Sequence, residues 1–143
     1  MSNMVLKKTF NFSVNSIEVY RTLIAKSEYV LSKQFLRAAT SIGANVREAQ
    51  RAQSKKDFLS KINIALKEAD ETLYWIELLY ATNYLDKREF DFLDSNCIEL
   101  VKILSNMVVM TLLTTFTALM KMSITCCGQF PDGSLKFIGL LKQ

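Results

Sequence analysis

Histidine is absent from this 143-residue chain, and it has only four glycines and one proline. Without histidine, Ser-His-Asp and Cys-His nucleophilic sites are excluded, as are the Glu-x-x-His ligand pairs of di-iron bundles. Four scattered glycines do not make a phosphate-binding loop. So few glycines and prolines also argue against a turn-rich β-sandwich. These absences predict a protein that is not an enzyme and that uses no metal or cofactor.

Cysteine usage and the N-terminus bear on the compartment. The three cysteines, Cys97, Cys126 and Cys127, have neither an even count nor the spacing of a metal site. The first residues, MSNMVLKKTF, lack the apolar core of a secretory signal. We therefore expect reduced thiols and a cytoplasmic protein.

Apolar residues recur at three- and four-residue spacing, which is typical of amphipathic helices. The first predicted helix runs from about Ser13 to Lys26, and its apolar stripe is Phe10, Val14, Ile17, Tyr20 and Ile24. The second runs from Ser32 or Lys33 to about Ala52. Its inward positions are Phe35, Ala38, Ala39, Ile42, Val46 and Ala49.

Two local signals mark the starts of the third and fourth helices. Ser54 with Asp57, and Asp86 with Glu89, have the three-residue spacing of a capping box. Short connections between helices favour antiparallel neighbours. The sequence therefore predicts an all-α protein, an antiparallel up-down-up-down four-helix bundle with a C-terminal extension. The bundle domain is placed at residues 1–118 and the tail, or loosely docked extension, at 119–143.

Residues 107–120 contain no charged side chain, and their apolar positions surround the helix. This stretch of about 14 residues is shorter than the roughly 20 needed to cross a bilayer. We interpret it as a buried or partner-contacting helix end and expect no membrane.

Charge is distributed unevenly along the chain. Residues 1–61 hold 11 Lys and Arg against 4 Asp and Glu, a net +7, whereas residues 62–106 are net −5 and the remainder is +2. The basic positions on or after the second helix are Lys33, Arg37, Arg47, Arg51, Lys55 and Lys56. They are either an ordinary solvated surface or a row that contacts nucleic-acid phosphates. Glu48 is expected to pair with Arg37 or Arg51 and to neutralise the row in part.

The third helix has a main apolar stripe that runs from Phe58 to Tyr80. A second apolar set lies away from that stripe: Ile64, Tyr74, Trp75 and Leu78. A bundle helix needs one apolar face, so a second set indicates another partner. Trp and Tyr are enriched at protein interfaces. We predict an oligomer interface here, the alternative being that the fourth helix and the tail bury the set.

Residues 37–71 carry a resemblance, reading RAATSIGANVREAQRAQSKKDF and, further on, IALKEADE. They resemble the four-helix-bundle family first noticed as open reading frames within intervening sequences of bacterial 23S rRNA genes, and the resemblance spans roughly residues 10–106. Two positions depart from the family's pattern: Gly43 stands where proline is frequent, and Ala49 where glycine is. The matching positions are Arg37, Ala38, Ala39, Ser41, Ile42, Ala44, Asn45, Glu48, Ser54, Lys56, Phe58, Ala65, Leu66, Glu68 and Glu71.

The resemblance implies a bundle that assembles as a ring, commonly a pentamer, with no enzymatic activity assigned. The accessory variability proteins of diversity-generating retroelements are similar in fold and bind nucleic acid and a reverse transcriptase through a positively charged barrel. The leading hypothesis is therefore a non-enzymatic, self-associating bundle that binds RNA or DNA through its basic second helix, as an accessory to a nucleic-acid enzyme. The alternative is a scaffold that docks a protein partner without nucleic acid.

Overall fold

The computed structural model describes residues 3–126, with side chains through Thr117, and these residues form four helices and no strand. The helices are α1 (Asn3–Ala25), α2 (Leu31–Ala49), α3 (Lys55–Ala81) and α4 (Lys87–Cys126). The predicted all-α four-helix bundle is confirmed.

Each pair of neighbouring helices is antiparallel. Four ion pairs join them: Lys8 of α1 with Glu99 of α4, Lys26 just after α1 with Glu89 of α4, and Arg37–Glu71 and Glu48–Lys61 between α2 and α3. Within each pair of helices, the two ion pairs run in opposite order along the two helices: the residue that comes first in one helix meets the residue that comes second in the other. On the α3–α4 side, Tyr80 stacks on Phe90 with ring centroids 4.3 Å apart. The Cys97 thiol lies 3.4 Å from the Ala69 carbonyl oxygen.

The core of the bundle is built mainly from aliphatic side chains. All six inward positions predicted on α2 are buried, as are Ile62, Ile76 and Leu79 of α3 and Leu93, Leu100 and Leu104 of α4. Fully burying one such side chain is worth roughly 1.5–3 kcal/mol. The amphipathic patterns of α2, α3 and α4 therefore determine which faces meet.

The interpretation of α1 is corrected in two respects. The helix begins at Asn3, ten residues before the predicted start, and the predicted stripe is largely exposed at Phe10, Val14 and Ile17. The buried face is instead Val5, Thr9, Phe12, Ser16 and Leu23. Thr9 and Ser16 are tolerated inside because each hydroxyl donates to the carbonyl four residues earlier. Thr9 and Ser16 therefore occupy core positions although their side chains are polar.

The predicted capping box at Asp86 and Glu89 is complete, and the one at Ser54 and Asp57 is present in part, because Asp57 bonds the N–H of Gln53 and not that of the N-cap Ser54. The Ser54 hydroxyl accepts from the Asp57 N–H at 3.1 Å, and the Asp57 carboxylate accepts from the Gln53 N–H at 3.1 Å. At the start of α4, Asp86 and Glu89 bond each other's backbone N–H at 2.7 and 3.0 Å. These bonds satisfy donors that a helix start leaves unpaired.

The α2 start has a different cap, which the sequence pattern did not reveal. Glu28 is buried before the helix, and its Oε1 accepts from the N–H groups of Val30 and Leu31 at 2.9 and 2.8 Å. Its Oε2 accepts from the Ser32 N–H. Burial alone would raise the pKa of Glu28, but these N–H donors outweigh it and hold the pKa below the ordinary 4.5.

The chain divides by its internal contacts at Thr111, and the bundle lies within Met1–Thr111. Residues 107–120 were expected to be a buried or a partner-contacting helix end. Burial within the chain does not hold for Val109 and Met110, nor for Leu112, Leu113 and Phe116 in the second unit, whereas contact with a partner stays a prediction. Over Lys87–Thr117, α4 is long and apolar enough to cross a membrane by length and composition alone. Packing in the bundle accounts for only part of this apolarity, since 17% of the apolar window is buried. Most of the predicted tail, residues 127–143, lies outside the described residues.

Candidate nucleic-acid interface

The six nominated cations all have exposed side chains, as a polyanion contact requires. Five of them, all except Arg37, form no ion pair with any carboxylate among the described side chains. Arg51 follows the last residue of α2 by two positions and lies in the turn, since α2 ends at Ala49 rather than about Ala52. The cations are therefore not one straight row along a helix.

Arg37 is engaged within the bundle. Its guanidinium donates to Glu71 Oε1 at 2.9 Å, and the same oxygen accepts from the Trp75 indole N–H at 3.2 Å. Glu48, expected to pair with Arg37 or Arg51, pairs instead with Lys61 on α3. This bond raises the pKa of Lys61. The acidic side chain of α2 thus leaves Arg47 and Arg51 without a neutralising partner.

A groove runs between the first half of α1 and the second half of α2, and we call it the α1–α2 groove. Its outer part, about 490 Å³, is lined by Asn3, Leu6, Lys7, Phe10, Arg47, Gln50 and Arg51. Its inner part, about 260 Å³, is lined by Leu6, Thr9, Phe10, Ser13, Thr40, Gly43, Ala44 and Arg47. Three residues, Leu6, Phe10 and Arg47, line both parts, so the two are continuous.

Gly43 lies at the close approach of α1 and α2 at the inner end of the groove. A Cβ at this position would lie 3.2 Å from Ser13 Oγ and 3.5 Å from the Thr9 carbonyl oxygen. Glycine costs an α-helix up to about 1 kcal/mol relative to alanine. A Cβ would require Ser13 Oγ to move by a few tenths of an ångström, which gives glycine a packing reason at this point of α2.

The groove is basic throughout its outer part. Lys7, Arg47 and Arg51 contribute three positive charges, and no carboxylate is among its lining residues. Lys55 and Lys56 begin α3 four and five residues after Arg51 and extend the positive charge. Lys33 lies near the start of α2, about 21 Å along the helix axis from Arg47 at 1.5 Å per residue. It belongs to the other end of the bundle.

Sequence reasoning missed Lys7 and Phe10 as groove residues. Lys7 was missed because the first helix was started at Ser13, which left residues 3–9 without a face, and Phe10 was missed because it was assigned to the inward apolar stripe. A helical signal was present in the spacing of Val5, Thr9, Phe12 and Ser16. The two hydroxyl side chains concealed it, because hydropathy counts them as polar while their local hydrogen bonds make them acceptable in a core.

The predicted oligomer positions fall into two kinds. Tyr74 is 56% exposed and Ile64 is 38% exposed, whereas Trp75 and Leu78 are half-buried. Trp75 packs against the core of its own chain and meets Tyr74 edge-on, with centroids 5.0 Å apart. The set is thus shared between the bundle and its surface, and its role in an oligomer interface stays a prediction.

Reactive groups are sparse in the part of the chain that the structure describes. No cluster of three or more Asp, Glu or Cys residues there could hold a metal ion. Cys97 is a buried free thiol whose pKa rises to about 12, through burial and the nearby carboxylates of Asp94 and Asp70. It is therefore protonated and inert near neutral pH.

Fold and groove together define a four-helix bundle with a basic groove between its first two helices. The chain belongs to the 23S rRNA-intervening sequence protein family, whose family model matches residues 1–106. It is similar to a crystal structure from Bacteroides thetaiotaomicron VPI-5482, a protein with unknown function from the S23 ribosomal protein family. The two are 45% identical with a TM-score of 0.72, over 73% of this chain and 97% of that one. Comparison with curated proteins gives no match.

The family resemblance drawn from residues 37–71 is thereby confirmed, and Gly43 does not interrupt α2. The family is not a known enzyme family, and the Bacteroides protein has no function assigned to it. The relation to retroelement accessory proteins stays a prediction. So do the nucleic-acid role of the six cations and the predicted partners.

Proposed function

We propose that the protein is a non-enzymatic bundle that binds nucleic acid through the basic end formed by Lys7, Arg47, Arg51, Lys55 and Lys56. The observation that carries the proposal is the outer part of the α1–α2 groove. Three cations line it, no carboxylate does, and the nearest acidic residue of α2, Glu48, is paired with Lys61. Phosphate contacts require accessible charge and reach, which these side chains provide.

Self-association forms part of the proposal, because five cations in one chain give weak binding that salt readily reverses. A symmetric oligomer would repeat the basic end and multiply its contacts. The exposed side chains of Ile64 and Tyr74 support an interface on α3. A ring of five copies is the assembly that the family resemblance suggests, and native mass spectrometry would count the subunits.

The test measures binding of the full chain to labelled RNA and duplex DNA at several salt concentrations. Charge reversal at Arg47 or Arg51 is expected to weaken binding and to lower the salt dependence by about one phosphate contact for each residue. Arg88→Glu is the matched control, since it changes the net charge equally at the opposite end of the bundle, near the start of α4. Equal effects of Arg47→Glu and Arg88→Glu would refute a localised interface.

A second candidate function is a scaffold that docks a protein, and the exposed apolar side chains of Val109 and Met110 favour it. Such residues on a helix surface are typical of a contact with another chain. A nucleic-acid enzyme such as a reverse transcriptase is the partner class that the resemblance adds. Pull-down with and without nuclease discriminates the functions: a partner retained after nuclease, with no binding to purified nucleic acid, supports the scaffold.

A further inference from the structure

Phe10 is an aromatic side chain that lines both parts of the α1–α2 groove and is 56% exposed. Among the described side chains its ring stacks with no other aromatic ring and lies under no cation. The ring is therefore open to a ligand at the point where the groove joins its outer and inner parts.

The surroundings of Phe10 distinguish it from other exposed apolar residues. Scattered surface hydrophobics are normal in soluble proteins. Phe10, however, shares its groove with Lys7, Arg47 and Arg51, and the polar amides of Asn3 and Gln50 lie on the same lining. An aromatic face beside cations is the combination that binds single strands, in which a base stacks on the ring and the flanking phosphates meet the charges.

A duplex offers only half of this contact. Its phosphates can reach Lys7, Arg47 and Arg51, but its bases are stacked on each other and cannot lie on Phe10 unless the helix opens. We infer that the α1–α2 groove binds single-stranded nucleic acid, with an unpaired base on Phe10 and neighbouring phosphates on Arg47 and Arg51. This inference rests on the proposed function and specifies its ligand.

Charge argues for this occupant over a second copy of the chain. A copy of the same groove would bring a second set of three cations to a surface that already has three. A single strand brings the opposite charge and a planar apolar group together. The alternative, in which a second copy of the chain packs on α1 at Phe10, is one of the outcomes that the experiment distinguishes.

The experiment compares the full chain with its Phe10→Leu and Phe10→Tyr variants, by fluorescence anisotropy at low salt. The probes are a labelled single-stranded oligonucleotide and the same strand annealed to its complement. Phe10→Leu keeps an apolar side chain without a stacking face and is expected to weaken single-strand binding roughly fivefold or more, with duplex binding unchanged. Phe10→Tyr keeps an aromatic ring and is expected to retain single-strand binding. Val14→Leu, on the exposed side of the same helix, is the matched control.

The outcomes separate the inference from the proposed function. If Phe10→Leu weakened binding to single strand and duplex equally, the inference would be overturned. It would also be overturned if Phe10→Leu lowered the native mass and left binding to both probes unchanged, since Phe10 would then contact a second copy of the chain. In both cases Arg47→Glu would still weaken binding if the proposed function holds. If neither Arg47→Glu nor Arg51→Glu affects either probe, the proposed function fails and the inference fails with it. Because Phe10 is largely exposed, thermal melting of the variants should match the parent.

Discussion

Arg37 on α2 and Glu71 on α3 form an interhelical ion pair, with the guanidinium nitrogen 2.9 Å from the carboxylate oxygen. The same Glu71 oxygen accepts from the Trp75 indole, which fixes the carboxylate towards α2. Both partners are partly exposed, so the pair contributes at most about 1 kcal/mol to stability. Its consequence is mainly electrostatic, because it neutralises one of the six cations nominated from the sequence.

The Arg37–Glu71 pair leads to a prediction about nucleic-acid binding. Arg37→Gln should change binding much less than Arg51→Gln, since Arg37 already has a carboxylate partner. Glu71→Gln should strengthen binding at low salt, because it frees the guanidinium of Arg37. Salt titrations of the three variants measure this, with Glu77→Gln, exposed on α3, as the control for loss of one negative charge. If Arg37→Gln and Arg51→Gln weaken binding equally, the ion pair with Glu71 does not reduce the contribution of Arg37 to nucleic-acid binding.

Glu28 gives a prediction about acid stability. Its ionised carboxylate caps α2, and its pKa in the folded protein is below 4.5, so its contribution is present above about pH 4.5 and is lost as the pH falls through the folded pKa. Glu28→Gln should lower the free energy of unfolding by about 1 kcal/mol at neutral pH, the usual size of a capping contribution. The difference from the parent should shrink below pH 4.5.

Urea unfolding at several pH values checks this prediction. Glu18→Gln is the control, because Glu18 is exposed and pairs only with Arg21 three residues away. A difference between Glu28→Gln and the parent that stays constant down to strongly acidic pH would show that the carboxylate charge is not what caps the helix.

The Cys97 thiol is expected to react slowly with thiol reagents in the folded protein. The side chain is buried, its S–H lies against the Ala69 carbonyl, and its pKa of about 12 leaves almost no thiolate near pH 8. In a Cys126→Ser, Cys127→Ser variant, labelling by a thiol reagent should be negligible in the folded protein and complete in denaturant. Labelling in native buffer as fast as in denaturant would show that the α3–α4 contact opens readily.

Charged substitutions at Ile64 and Tyr74, the exposed pair on α3, are expected to reduce self-association. Ile64→Glu and Tyr74→Glu should each reduce the native mass, because a charge in an apolar interface loses its hydration without gaining a partner. Neither should unfold the bundle, since both side chains are exposed. Light scattering measures the mass, and Gln34→Glu, exposed on α2, is the control. An unchanged mass for both variants would place any self-association elsewhere.

The fold was predictable because its signals are local. The boxes at Ser54 and Asp86 mark helix starts within four residues, and the small and branched residues from Phe35 to Ala49 identify one buried face. Each signal depends on neighbours in the chain, so it survives without knowledge of the tertiary packing.

The face of α1 was not predictable in the same way. Phe10, Val14 and Ile17 are the more apolar set, yet the bundle buries the side that includes Thr9 and Ser16. Hydropathy ranks residue types without regard to hydrogen bonds to the preceding turn, and such bonds allow hydroxyl side chains in the core. The choice between the two faces was decided by packing against the other helices.

The sequence by itself determined four helices, the caps of the third and fourth, the core of α2 and an excess of positive charge in the first half of the chain. Only the tertiary structure decided which cations remain free, because Glu71 and Lys61 come from α3 to pair with Arg37 and Glu48. It also brought Lys7 and Phe10 beside Arg47 and Arg51, from about forty residues away in the chain. Periodicity records the neighbours within a helix, whereas a groove is made by side chains of two helices whose contact depends on the packing of the whole bundle.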